Sequence, residues 1–192
     1  MNSPRFAPAG LLVEHDRARV MLDGGAENVP AGPLDAWLLT DARAELIGEI
    51  RSVARERHVQ PAVARFESPG LTIRPRKVTH TSHDTHGYLI EADGRLIAWA
   101  PEFWRFPAWA SDVDLLFADA AAWNRPIRFA GGVGGHACVL DVAAAARRRR
   151  VRRLVFCHIG RPTIRAVNAG LRPPFGEMGR DGARYHPRRW RR

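Results

Sequence analysis

The chain has 192 residues, of which 45% are hydrophobic, 26% charged and 8% aromatic, a composition that can bury one ordinary domain core and excludes wholesale disorder. No run approaches the 18 apolar residues of a membrane span, residues 1–10 lack the apolar stretch of a secretory signal, and Cys138 and Cys157 are too few for a disulfide scaffold, so a cytoplasmic protein with no membrane partner is expected. The net charge of +10 raises the question of a phosphate or nucleic-acid partner, but Lys77 is the only lysine among thirty basic residues in an Ala-, Gly- and Pro-rich chain, a bias that GC-rich codon usage also produces.

In chain order, Gly10-Leu11-Leu12-Val13-Glu14 and Arg19-Val20-Met21-Leu22-Asp23 read as a hairpin closed off by Gly24-Gly25. Asp35-Ala36-Trp37-Leu38-Leu39-Thr40 is a short buried-strand pattern that ends in the polar cluster Asp41-Ala42-Arg43-Ala44-Glu45. Leu46, Ile47, Ile50, Val53 and Ala54 then recur at helical spacing up to Arg57. Short extended pieces over 63–78 lead to Gly87–Glu91 and Arg95–Ala100, which flank the hairpin turn Asp93-Gly94 and deliver Pro101-Glu102. Asp114–Ala118 is a further strand, and a glycine-rich loop, Gly131 to Gly135, leads to His136. A helix over Ala137–Arg150, a strand over Arg153–Cys157 stopping at His158, and a helix over Ile164–Gly170 follow. One domain over 1–175 is expected, followed by a basic tail over 176–192 that runs across the surface.

Asp41, Glu45, Glu102 and His158 each come just after a predicted strand. In layered α/β proteins this is where loops bring distant residues to one edge of a rigid sheet. Five of the eight histidines also fall in loops: His80, His83 and His86, then His136 after the glycines and His158 after a strand. Imidazole is the commonest protein ligand for zinc and moves protons near neutral pH. At their spacing, His80, His83 and His86 cannot all point at one metal.

This order of residues resembles the metallo-β-lactamase fold superfamily, in particular its compact phosphodiesterase branch related to transfer-RNA 3′-processing enzymes. Leu11 to Gly25 is similar to the opening hairpin, and Asp35 to Gly48 to the strand and loop that carry His-x-His-x-Asp-His. Gly87–Glu91 with Ala98–Glu102 is similar to the strand pair that ends in the metal-bridging aspartate, while Gly135-His136-Ala137 and Leu154–Arg161 are similar to the late histidine motifs. The resemblance covers about residues 8 to 170. It implies an α/β fold, a four-layer αββα sandwich with its site at one sheet edge.

The first motif is degenerate. Its four ligand positions hold Asp41, Arg43, Glu45 and Leu46, and neither arginine nor leucine can ligate a metal. Glu102 stands in the place of the bridging aspartate; His80, with His83 as second choice, fits the ligand ahead of the Gly-Tyr strand. His158 fits the last ligand, and His136 the histidine that gives or takes a proton. The resemblance therefore implies a divergent hydrolase with at most one divalent metal, zinc by its donor types, held by some of Asp41, Glu45, His80, His83, Glu102 and His158. Its substrate would be a phosphate ester or another anion met by Arg43 and Arg161. The alternative is a metal-free binding protein. Arg43 is further expected to stand in for a lost cation among the carboxylates. The runs Arg147–Arg150, Arg152-Arg153 and Arg188–Arg192 allow weak nucleic-acid binding. The sequence fixes no oligomeric state.

Overall fold

A computed structural model describes residues 6–187. The chain opens with β1 (Gly10–His15) and β2 (Ala18–Asp23), an antiparallel hairpin, and β3 (Ala36–Leu38) adds to β2 in parallel. α1 (Ile47–Glu56) follows. Next come β4 (Phe66–Ser68), β5 (Leu71–Val78), β6 (Thr85–Ala92), β7 (Arg95–Ala100) and β8 (Leu115–Ala120). A two-stranded ribbon of β9 (Ile127–Arg128) and β10 (Gly135–His136) precedes α2 (Val139–Arg148). The remaining elements are β11 (Leu154–Ile159), α3 (Arg161–Asn168) and β12 (Glu177–Met178). The large sheet has the order β12-β11-β8-β7-β6-β5-β4, parallel from β12 to β7 and antiparallel beyond.

The period-two alternation of the strands decides the layering. Val20 and Leu22 of β2 face Leu115 and Phe117 of β8 in a core between the two sheets. Met21 of β2 points the other way, to Trp37, Leu39, Ile50 and Ala54 under α1. On the far face of the large sheet, Ala98, Ala100, Leu116, Ala118 and Phe156 pack on Val139, Val142 and Ala143 of α2, with Ala166 and Val167 of α3 alongside. Three cores between four layers make the αββα sandwich. Each buried Val, Leu or Phe contributes about 1.5–3 kcal/mol, so a one-residue register slip in β8 would turn Leu115 and Phe117 away from the inter-sheet core.

Several boundaries differ from the sequence-based expectation. The Asp35–Thr40 strand pairs only over Ala36–Leu38, and α2 covers Val139–Arg148 rather than 137–150. α3 starts at Arg161, three residues early, with Pro162 in its first turn. β11 runs on through His158 to Ile159 because a bulge at His158 restores the register. The ribbon β9–β10 was not expected, and residues 177–178, assigned to the surface tail, pair with β11 as the edge strand β12.

Candidate active site

The polar residues gather where β2, β3, β7 and β11 end. Glu102, two residues past β7, is the hub: its Oε2 lies 3.4 Å from His80 Nε2 and its Oε1 lies 3.2 Å from His158 Nε2. His80 comes from the β5–β6 loop and is buried. His158 reaches the hub because it is the bulged residue of β11, held in the left-handed region at φ 50°; such a conformation costs a non-glycine residue about 1–2 kcal/mol and recurs beside functional sites. The third imidazole, His136 of β10, stacks on His158 at 5.2 Å between ring centroids and stands 4.7 Å from His80.

Two of these rings are oriented from behind. His80 Nδ1 donates to the Gly135 carbonyl at 2.9 Å. His136 Nδ1 lies 2.8 Å from Asp119 Oδ2, and Asp119 is wholly buried, accepting also from the Phe103 and Ala121 backbone N–H groups. Committing Nδ1 in this way leaves Nε2 for the centre, the arrangement in which histidines ligate metals. Glycines make it possible: a Cβ on Gly134 would lie 2.0 Å from the His80 carbonyl oxygen and one on Gly135 would lie 1.9 Å from the Ile127 oxygen, both at φ 154°. The glycine loop is thus a close backbone approach that seats His80.

Charge follows geometry. Burial alone would raise the Glu102 carboxyl, but His158, His80 and His136 together hold it below the ordinary glutamate range. Burial lowers His136, and the Asp119 hydrogen bond and charge outweigh it, leaving the imidazole above its usual value. Asp23, at the end of β2, is pushed up to about 6 by burial although Thr40 and Trp99 donate to it; Thr40 N and Oγ1 reach its Oδ1 at 2.7 and 2.9 Å, and Trp99 Nε1 its Oδ2 at 2.7 Å. That bonding anchors the start of the loop carrying Asp41.

The degenerate motif lies to one side. Asp41 is buried and receives His83 Nε2 at 2.9 and 3.0 Å, plus the backbone N–H of Arg43 at 2.7 Å. His83 therefore pairs with Asp41 and not with Glu102. The expectation that the Arg43 guanidinium replaces a cation is corrected: Arg43 is exposed, and it is the His83 ring that meets the carboxylate. Glu45 is exposed at the mouth of a cavity, and Arg161 is exposed at the start of α3. Among the described residues, His80, Glu102 and His136 are three donors whose ligand atoms all lie within 4.8 Å of one another. Sequence reasoning missed Asp119, hidden inside the apolar run of β8, and Asp23; each is a lone carboxylate within or closing a strand, which was the available signal.

A cavity of about 310 Å³ opens above Glu102 and His158. Asp23, Thr40 and Pro101 form its deep side, and Glu27, Glu45 and Glu49 stand around it. His80 and His136 lie behind Glu102, outside the lining.

No protein-family model and no curated protein matches this sequence. Solved structures do. YhfI of Bacillus subtilis, a metallo-β-lactamase fold protein, is 15% identical with a TM-score of 0.71 over 95% of this chain and 93% of that one. The chain has the metallo-β-lactamase fold. Zinc-bound PqqB of Methylobacterium extorquens is similar at 16% identity and a TM-score of 0.62, over 91% of this chain and 86% of that one. A diphosphatase of the PhnP family follows at 18% and 0.59, over 90% and 80%. Among the described residues, His80, Glu102 and His136 form a group of three donors that could hold a cation, whereas Asp41 meets the His83 ring and Leu46 offers no donor atom.

Proposed function

We propose that this protein is a hydrolase of phosphate or related esters that works with one divalent cation, held by His80, Glu102 and His136. The observation that carries the reading is the convergence of these donors within 4.8 Å, with His80 and His136 each pinned through Nδ1 by a group of the fold. Two imidazoles and a carboxylate that leave one position open match a catalytic zinc site. Zinc bound there supplies charge that polarises a phosphoryl or carbonyl oxygen and water. The diphosphatase of the PhnP family supports an ester of phosphoric acid as the substrate class.

This exchanges the roles that the family resemblance implies for His136 and His158. His136 is buried against Asp119, and His158 lines the cavity that substrate would enter. His158 therefore gives or takes the proton through Nδ1, the ring nitrogen that Glu102 does not meet: water adds to phosphorus, the bond to the leaving alcohol oxygen breaks, and His158 passes a proton between the two oxygens. Glu102 Oε1, 3.2 Å away, aims that ring.

A second reading, a binding protein that dispenses with metal, is favoured by the direct contacts of Glu102 with His80 and His158, which satisfy the carboxylate without a cation. Zinc content per chain and hydrolysis of bis(p-nitrophenyl) phosphate decide between them. About one equivalent is expected, lost in His136→Ala but kept in His158→Ala, whose turnover falls by about 10²–10⁴. Two tightly held equivalents would overturn the one-cation site. No zinc and no turnover would establish the metal-free reading, and loss of zinc in His158→Ala alone would restore the roles implied by the resemblance.

A further inference from the structure

We propose that Phe129 is a positioning residue of the cation site: it sets the planes of both imidazole ligands and closes the ribbon side, so that the open coordination position faces the cavity lined by Glu102 and His158. The inference rests on the cation reading above and deepens it. Phe129 follows β9 at the neck of the glycine turn, where its N–H donates to the Gly134 carbonyl at 2.9 Å and its carbonyl accepts from the Gly132 N–H at 3.2 Å. The centroid of its half-buried ring lies 5.3 Å from that of His80 and 5.5 Å from that of His136, with the planes crossing at 64° and 89°. Because His80 and His136 themselves stand 4.7 Å apart at 62°, the three rings close a triangle in which every pair meets edge to face.

The hydrogen bonds behind the imidazoles leave this contact a task. The Gly135 carbonyl at His80 Nδ1 and Asp119 at His136 Nδ1 each fix one ring atom, and a ring held at one atom can still tip about it. Phe129 removes that freedom from both rings at once. It is also apolar, and an apolar group beside a metal centre controls the access of water to it. Phe129 does not line the cavity, whereas Glu102 and His158 do, so the side it covers is not the side that substrate enters. Nor does Phe129 belong to any of the three hydrophobic cores, so truncating it removes a contact of the site and leaves the layers packed. Its neighbour Arg128 fastens the ribbon to the other donors: the guanidinium lies 5.4 Å over the Trp104 ring, two residues past Glu102, and the Trp104 backbone N–H donates to the Thr79 carbonyl at 2.6 Å, next to His80.

The test loads the full chain with cobalt(II), whose visible absorption per bound ion is strong in four-coordinate sites and weak where water adds further ligands. Phe129→Ala is expected to weaken cobalt binding by about 10–100-fold and to lower the absorption per bound ion, because water gains the position that the ring had covered. Phe129→Leu keeps an apolar cover and should restore most of both. Val133→Ala, which trims an exposed apolar side chain of the same loop, should change neither. Unchanged absorption per bound ion in Phe129→Ala would overturn the inference and leave the cation reading standing. A leucine variant no better than the alanine one, or an equal loss in Val133→Ala, would do the same. An unaltered chain that binds no cobalt, or binds it as tightly after His136→Ala, would overturn the cation reading and the inference with it.

Discussion

At the scale of single residues, Asp41 shows how the fold manages a site from which metal ligands have been lost. A buried carboxylate needs donors or a cation. Here the partner is the His83 ring from a loop 42 residues further on, with the Arg43 backbone N–H completing the set, while the Arg43 side chain lies in solvent. Arg43→Ala should therefore change unfolding stability by no more than about 0.5 kcal/mol. His83→Ala leaves Asp41 with one donor and should cost roughly 1–3 kcal/mol. Urea unfolding of both variants checks this, and the opposite ranking would return the cation role to Arg43. The sequence could place Asp41 and His83 in loops at one edge, since each lies beside a strand. It could not pair them, because which loop side chain meets which is set by the relative height of two loops that have no periodic pattern.

At the scale of elements, legibility followed periodicity and turn chemistry. The β6–β7 hairpin is announced by Asp93-Gly94, which takes up positive φ of 49° and 72° as that tight turn demands. The strands of the inter-sheet core alternate visibly. The ribbon β9–β10 is two residues on each strand and leaves no repeat to read, yet it carries His136 and seats His80. The glycines signalled a constrained backbone without saying against what. The contacts they permit give the next prediction: Gly135→Ala forces a Cβ to 1.9 Å from the Ile127 carbonyl oxygen, a backbone atom that cannot swing aside, and should cost roughly 3 kcal/mol or more and lower zinc per chain by displacing His80. Gly132→Ala in the same loop, where the added Cβ meets nothing within 4 Å, should cost only the left-handed strain of about 1–2 kcal/mol and leave zinc content alone. Equal effects of the two substitutions on zinc content would detach the ribbon from the site.

At the scale of the whole molecule, the net charge of +10 invites a nucleic-acid surface, and the arginines that would build one are largely engaged elsewhere. Arg147 donates to the Pro174 carbonyl and lies over Phe175; Arg150 pairs with Asp112, Arg152 with Asp114, and Arg153 with Glu177 while lying over Tyr185. Arg147 and Arg153 thereby fasten the segment after α3 against α2 and β11, which is why residues 177–178 complete the large sheet. The tail run Arg188–Arg192 lies outside the described residues. A phosphate gains least from a guanidinium that must first leave a carboxylate, so weak, nonspecific binding that vanishes near physiological salt is expected. Each phosphate contact contributes about 0.9 to the slope of log affinity against log salt on duplex DNA. Replacing both Arg150 and Arg152 by alanine should therefore leave that slope unchanged for a duplex oligonucleotide measured between about 50 and 200 mM salt, while lowering the unfolding temperature, because Asp114 is buried and loses an ion-pair partner. If the slope instead falls by about two, one unit for each arginine removed, these side chains contact phosphate and the basic run is a binding surface after all.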